Sequence, residues 1–459
     1  MLLVAGASSA ASPTIPGHTV AAVQSAFEHS VVPGEPAAHY RDLIATVFER
    51  IERSYAAEVD VSALAANALK SMEPVVPGTG EPAVVFKAAI NAALKTLDGY
   101  SRYIDPQSHA NERSESGGSF GGVGMQVEPG EGVVRVVSTM PGNPAERAGV
   151  KAGDLILRID DVPLQGVPLA DAIARMRGQP GTTVSVTLRR GGAEAFTVAI
   201  TRDTIRRQTV QWRMEGDVLV LKLASFTTGV AVEIEKAVAL ASAEKMPRAV
   251  TLDMRGNPGG LLREAVLIAD LFLSEGTIVS LRRRPPSSYS TRKADANEIL
   301  PGVPMVVLID GRSASASELV AAALQENGRA KVMGQRSYGK GTVQTTYGLG
   351  EAKGALKITT SVYHGPLGTT VNKSGVAPDI ELVSGSPSSA AATAAAVAAA
   401  TGPDAVSAPV VAAARIDPSR CPALYKVTDL PVACAVGYLR TADLDGFMSE
   451  LAERAERAP

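Results

Sequence analysis

The sequence predicts a layered α/β fold carrying a β-rich insertion and a helical N-terminal region, on three observations. From about Val210 onward, short apolar runs of β type alternate with amphipathic helical stretches, the pattern of a sheet covered by helices. Ahead of that, residues 38–112 place apolar side chains mainly at helical spacing. Between the two, residues 113–204 are rich in glycine and read as a small β-domain whose glycines make its turns.

Composition sets the outer limits. A chain of 459 residues is long enough for about three domains, and 45% hydrophobic residues suffice for ordinary globular cores. A net charge of −2 gives no electrostatic footprint for nucleic acid, and aromatics at 4% are too sparse for base-stacking platforms. No run reaches the roughly 18 apolar residues that a membrane span requires.

In chain order, residues 1–37 read as a leader. MLLVAGASSAASPTIPG has an apolar start and an Ala5-Gly6-Ala7 triplet of signal-cleavage type, but lacks a positive flank and a full apolar stretch. It is either the remnant of a secretion signal, which would make the protein periplasmic or otherwise exported, or a plain leader. In the next segment Leu43, Ile44, Val47, Phe48 and Ile51 form one apolar helix face, and a further helix is expected over 83–97.

The core, residues 205–384, opens with a strand in GDVLVLKLASF and a helix in VAVEIEKAVALASAE. RAVTLDM is then a strand, Arg255 to Gly260 a loop, and LLREAVLIADLFL a helix. Residues 282–303, basic and turn-rich, read as a solvated loop, and VPMVVLID as a buried strand. Residues 385–415 are an Ala-rich linker broken by Ser and Pro, and 416–459 a small C-terminal segment holding both cysteines, Cys421 and Cys434.

The stretch Gly311–Gln344 carries the chemistry. Ser313, Ser315 and Ser317 alternate with alanines and lead into the helical run ELVAAALQENG. Lys340 sits 25 residues after Ser315, in a glycine-flanked turn, SYGKG, followed by the β-branched run TVQTTY. Ser315-Ala-Ser-Glu318 also fits a capping box, in which serine and glutamate satisfy the free N–H groups of a helix start. Gly334 to Lys340 matches most of a phosphate-binding P-loop, but Gly341 stands where Ser or Thr would hold magnesium, and a strand follows instead of a helix; the nucleotide reading is rejected.

A serine hydroxyl needs a base to take its proton, and a lysine can be that base only when neutral, which burial favours. Val332, Met333 and Leu324 are the apolar neighbours expected to bury it. Five histidines are present, none in a triad motif.

This stretch resembles the active-site signature of the carboxyl-terminal processing (tail-specific) proteases, serine-lysine peptidases with an embedded PDZ domain. The resemblance rests on G-x-S-A-S-A-S-E and G-K-G-x-V-Q at their expected separation. It implies Ser315 as nucleophile, Lys340 as general base and Gln344 as the residue orienting the lysine. The loop Arg255-Gly-Asn-Pro-Gly-Gly260 resembles the family's D-[LM]-R-x-N-x-G-G motif. That implies an oxyanion donor at Gly259 or Gly260, with Ala316 N–H as the second.

Within residues 113–204, GGVGMQV and PGNPAERAGVKAGDLILRID resemble a PDZ domain, implying a substrate-tail site at Gly122, Val123, Gly124 and Met125. Such a loop offers backbone N–H groups to a terminal carboxylate while the peptide adds as a strand. The segment LDGYSRYIDP departs from the family's L-D-P-H-S-x-Y-L-D-P at Gly99-Tyr100, where Pro-His is usual. His364-Gly-Pro-Leu departs likewise from Tyr-Thr-Pro-Ser.

The resemblance spans about residues 40–383. It implies a crotonase/Clp-like serine-peptidase core and no metal or organic cofactor. Its partners would be protein or peptide substrates with free C-termini, with room for an activating partner or an oligomer. If exported, Cys421 and Cys434 would pair, closing a loop worth roughly 3 kcal/mol; two buried thiols are the alternative. The function expected is a serine endopeptidase that captures a C-terminal tail and cleaves upstream of it, against the alternative of a silent PDZ adaptor.

Overall fold

The computed structural model describes residues 17–130, 133–206, 208–284, 289–350, 353–383, 414–422, 427–441 and 443–457. A seven-stranded sheet forms the centre, in the order Val210–Glu215, Val218–Leu223, Ala249–Asp253, Met305–Ile309, Lys331–Gly334, Ile380–Leu382, Ala414–Ile416. Its first pair is antiparallel and every later pair parallel. The all-apolar character of its central strands follows from burial on both faces. Leu219, Leu221, Val250, Leu252, Val307 and Ile309 face the helices Val230–Glu244, Leu262–Leu271 and Ala316–Glu326. Their neighbours Val218, Val220, Ala249, Val306 and Leu308 face the C-terminal helices Leu430–Thr441 and Leu444–Arg457. The α/β core expected from the alternation is thus present, and the C-terminal segment is its second covering layer.

An antiparallel five-stranded sheet stands beside it, built from Arg102–Ile104, Ala355–His364, Thr277–Arg282, Tyr289–Lys293 and Thr342–Gly348. The helices Glu35–Ser54, Val61–Met72 and Pro82–Leu94 bury their apolar stripes in one cluster with Leu356 and Ile358 of this sheet. The β-rich insertion is a six-stranded sheet whose edge strand, Met125–Gly130, is followed by Val133–Thr139, Leu155–Ile159, Thr183–Arg189 and Phe196–Thr201. A two-stranded ribbon of Ser119–Gly122 and Asp203–Arg206 brings the insertion's two ends together.

Four expectations need correcting. Gly17–Ser30 is a helix with Val23 and Phe27 fully buried, so these residues are not the leader expected over 1–37; residues 1–16, on which the rest of that expectation falls, lie outside the described ones. Tyr289–Lys293 is a strand inside the expected loop 282–303. It is an exposed edge with polar side chains on both faces, so no period-2 apolar signal marks it. Arg102–Ile104 is a strand within the helical region 38–112, three residues being too few to show a period. Ala414 and Arg415, placed in the linker, extend the central sheet; residues 385–413 of that linker lie outside the described ones.

Candidate active site

The three serines of the alternation have different fates. Ser313 Oγ donates to the Met254 carbonyl at 2.9 Å, and Ser317 Oγ to that of Asn257 at 2.9 Å; both serines are fully buried. They fasten the serine turn to the loop that follows Ala249–Asp253. Ser315 lies between them, half-buried, lining a cleft of about 640 Å³ together with Lys340, Ala316, Gly260 and Gln344. Its φ of 56° with ψ of −112° is a conformation that L residues avoid, costing of order 1–3 kcal/mol. The surrounding bonds hold that strain at the head of the helix Ala316–Glu326.

The first of those bonds comes from Glu318, fully buried in the first helical turn. Its carboxylate accepts the Ser315 N–H at 2.7 Å, the helix-start contact expected of a capping box. It also accepts Ser337 Oγ at 2.6 Å, the Gly339 N–H at 2.6 Å and the Lys340 N–H at 2.8 Å. Tyr363, buried in the strand Ala355–His364, completes the frame. Its hydroxyl is 2.8 Å from the Lys340 carbonyl oxygen and 3.0 Å from that of Ser315. Gly341 is needed in the lysine turn because a Cβ there would lie 2.5 Å from the Asn372 nitrogen.

The Lys340 amine lies over the Tyr100 ring, 4.6 Å from its centre. Burial, with the positive charges of Lys357 and Arg102, pulls its pKa below the ordinary lysine value against the opposing pull of Glu318 and Asp98. Two expectations change here. Gln344 Nε2 donates to the hydroxyls of Thr342 at 2.9 Å and Thr359 at 3.2 Å, so its amide lines the cleft without holding the amine. Val332 and Leu324 belong to the core between sheet and helices and Met333 to the opposite face; Tyr100 is the ring beside the amine.

The loop Arg255–Gly260 is fixed from within. The Asn257 carbonyl accepts the Ala314 N–H at 3.1 Å, and its side-chain oxygen accepts the Gly259 N–H at 2.9 Å. Gly259 therefore already has a partner for its amide, while Gly260 lines the cleft. Ala316 is the first helical residue, a position whose N–H has no intrahelical acceptor. Both glycines are required: a Cβ on Gly259 would stand 2.7 Å from the Ala314 carbonyl oxygen, and one on Gly260 2.3 Å from that of Phe226.

In the insertion, Val123 is buried in the core, so only its backbone is available. The carbonyls of Val123 and Gly124 accept from Ala145 at 2.8 Å and Met140 at 2.9 Å, which fixes the turn between Gly122 and Met125. The edge strand Met125–Gly130 and the helix Leu169–Met176 follow from it. The helix Pro106–Ser116 joins the insertion to the cleft. Its Glu115 pairs with Arg177, and Glu112 with Arg102 at 2.7 Å and Lys357 at 3.0 Å.

Residues 217–382 match Peptidase family S41, and residues 121–200 match a PDZ domain. A carboxy-terminal-processing protease of Bartonella bacilliformis is 40% identical over 297 residues, 64% of this chain and 68% of that protein. The carboxyl-terminal-processing protease of Picosynechococcus sp. is 37% identical over 301 residues, 63% of this chain and 71% of that protein. The carboxy-terminal processing protease of Bacillus subtilis is 32% identical over 295 residues, 64% of this chain and 63% of that protein.

The chain belongs to the carboxy-terminal-processing protease family. It is a serine-type peptidase with an embedded PDZ domain. Sequence reasoning missed three residues of this peptidase's site. Glu318 was visible as a helix cap, and only its reach to the lysine turn was hidden. Tyr363 carries no local signal, and Tyr100 was marked only as a departure from the family's Pro-His, with nothing to say that its ring would lie beside the Lys340 amine. Among the described residues there is no cluster of His, Cys, Asp or Glu that could hold a metal ion, and no helix is long and apolar enough to cross a membrane. Cys421 and Cys434 form a disulfide with Cα atoms 4.9 Å apart.

Proposed function

We propose that this peptidase is a Ser-Lys endopeptidase that captures the C-terminal tail of a protein in its PDZ domain and cleaves upstream of it. The observation that carries the reading is Ser315 and Lys340 opening into one cleft, with their backbones joined through Glu318 and Tyr363. Lys340, whose neutral form burial favours, takes the Ser315 proton as the hydroxyl attacks the scissile carbonyl. The developing oxyanion is met by the N–H groups of Gly260 and Ala316, each worth about 3–4 kcal/mol. The Lys340 ammonium returns its proton to the leaving amine, and water then hydrolyses the acyl-enzyme with Lys340 again as base. A tail adding to the edge strand Met125–Gly130 would place its carboxylate at the turn Gly122–Met125. The Cys421–Cys434 disulfide supports an exported protein, since such bonds persist in oxidising compartments.

The test is cleavage of an unfolded protein with a nonpolar free C-terminus by wild type, Ser315→Ala and Lys340→Ala. Wild type alone should cleave, and amidating the substrate terminus should slow it. Equal cleavage by all three would refute the dyad. Tail binding without cleavage by any of them would make the protein an adaptor.

A further inference from the structure

The loop that carries Gly259 and Gly260 is held from outside the peptidase core. Its first residue, Arg255, has a guanidinium shared by two carboxylates. Asp253, at the end of Ala249–Asp253, accepts from Nε at 2.9 Å and Nη2 at 2.7 Å. Asp429 accepts from Nη1 at 3.0 Å and from Nη2 at 2.8 Å. Lys222 lies 3.1 Å from Asp253 and donates to the Arg255 carbonyl at 2.8 Å, so two cations balance two anions. Asp429 lies beyond residues 217–382, the part of the chain matched by the peptidase family.

Asp429 is itself held on three sides. It lies inside the loop that the Cys421–Cys434 disulfide closes. It starts the helix Leu430–Thr441, its carboxylate accepting the Val432 N–H at 3.3 Å and its carbonyl the Ala433 N–H at 2.9 Å. That helix is sealed to the sheet, with Val432, Ala433 and Val436 packed in one cluster with Val306 and Leu308. A rigid anchor thus meets the side chain from which the loop departs.

Exposed ion pairs usually contribute little. This one is bidentate, and the Arg255 side chain is only 18% exposed, which favours a fixed orientation. Two residues after Arg255, Asn257 bonds to Ala314, Ser317 and Gly259. A swing at Arg255 therefore reaches the serine turn and the oxyanion glycines together.

We propose that Asp429 is a positioning residue of the oxyanion loop, acting through Arg255 and held in place by the Cys421–Cys434 disulfide. The inference rests on the serine-peptidase reading of Ser315 and Gly260 given above.

Asp429→Asn is the deciding variant, because asparagine caps a helix as well as aspartate does while lacking the charge that pairs with Arg255. It should lower kcat per titrated active site roughly tenfold, the effect of about 1.4 kcal/mol of lost transition-state stabilisation, with KM nearly unchanged. Affinity for a peptide aldehyde, whose serine adduct places an oxyanion in the hole, should fall by the same factor. Asp429→Glu should recover part of the loss. The pair Cys421→Ser/Cys434→Ser should give the same kcat loss, and adding Asp429→Asn to it should cost little more.

Wild-type kcat and aldehyde affinity in Asp429→Asn would overturn the proposal. So would a loss confined to the fraction of titratable protein, since that reports folding alone. Cleavage by Ser315→Ala, or none by wild type, would overturn the underlying reading and this inference with it. If wild type cleaves and Ser315→Ala does not, the Asp429 result decides by itself.

Discussion

Glu318 binds the backbone of Ser315 and of Lys340 with one oxygen: Oε2 lies 2.7 Å from the Ser315 amide nitrogen and 2.8 Å from that of Lys340. Its other oxygen accepts Ser337 and Gly339, so all four donors converge on one buried carboxylate. A carboxylate suits the place because it accepts at both oxygens and donates at neither.

Glu318→Gln should therefore be far from neutral. Its NH₂ group must face two N–H or O–H donors, and hydrogen bonds to a charged acceptor contribute about 1.5–3 kcal/mol each. We expect a stability loss of roughly 3 kcal/mol, read by chemical denaturation, and an acylation rate at least tenfold lower, read by single-turnover kinetics. Wild-type acylation in a folded variant would show that the bridge does not set the dyad.

The pH dependence has a definite sign. Lys340 must be unprotonated to act as base, so kcat/KM should rise with pH through its pKa, which burial holds below the ordinary lysine value. Lys357→Met removes a positive neighbour, raises the Lys340 pKa and moves the rising limb to higher pH. Asp98→Asn removes a negative one and moves it to lower pH. Limbs that shift together, or not at all, would mean another group is titrating.

The same burial has a stability consequence. With its folded pKa depressed, the native state binds fewer protons at Lys340 than the unfolded chain does. The penalty is complete below the folded pKa and disappears as pH rises through the unfolded one. Lys340→Met removes it, and should raise the melting temperature at neutral pH while lowering kcat by roughly 10²–10⁴-fold. A melting temperature that falls would argue that the amine has a stabilising partner.

The pairing proposed for Ser315 and Lys340 was legible because the two residues sit in short motifs with local grammar: a helix start, and a glycine turn before a strand. The alternation of strand and helix gave the core for the same reason, since each period lies within one segment. Glu318 was half legible, the cap being local and the link to Lys340 being tertiary. Asp429 and Tyr363 were not, and Tyr100 was marked only as a departure from a motif, for their partners are 174, 23 and 240 residues away and meet them through side chains or rings that no spacing encodes. For Gln344 the orienting role came from the resemblance alone, whereas its amide NH₂ donates to the hydroxyls of Thr342 and Thr359, contacts that depend on the sheet register and that no spacing encodes.

Tail capture can be tested at Gly124. Its φ of 74° lies in the left-handed region, and a Cβ there would stand 2.4 Å from Asn143 Cβ. Gly124→Ala must therefore push the turn away from residues 140–145, to which its carbonyl is bonded through the Met140 N–H. A strained or displaced turn costs about 1–3 kcal/mol, which would weaken a free-carboxylate peptide roughly 5- to 150-fold in fluorescence polarisation. Because the turn is proposed to hold the terminal carboxylate, the variant should also cease to distinguish the free peptide from its amide. A variant that binds weakly yet still prefers the free acid would place the carboxylate elsewhere in the groove, and undiminished binding would remove this turn from tail capture altogether.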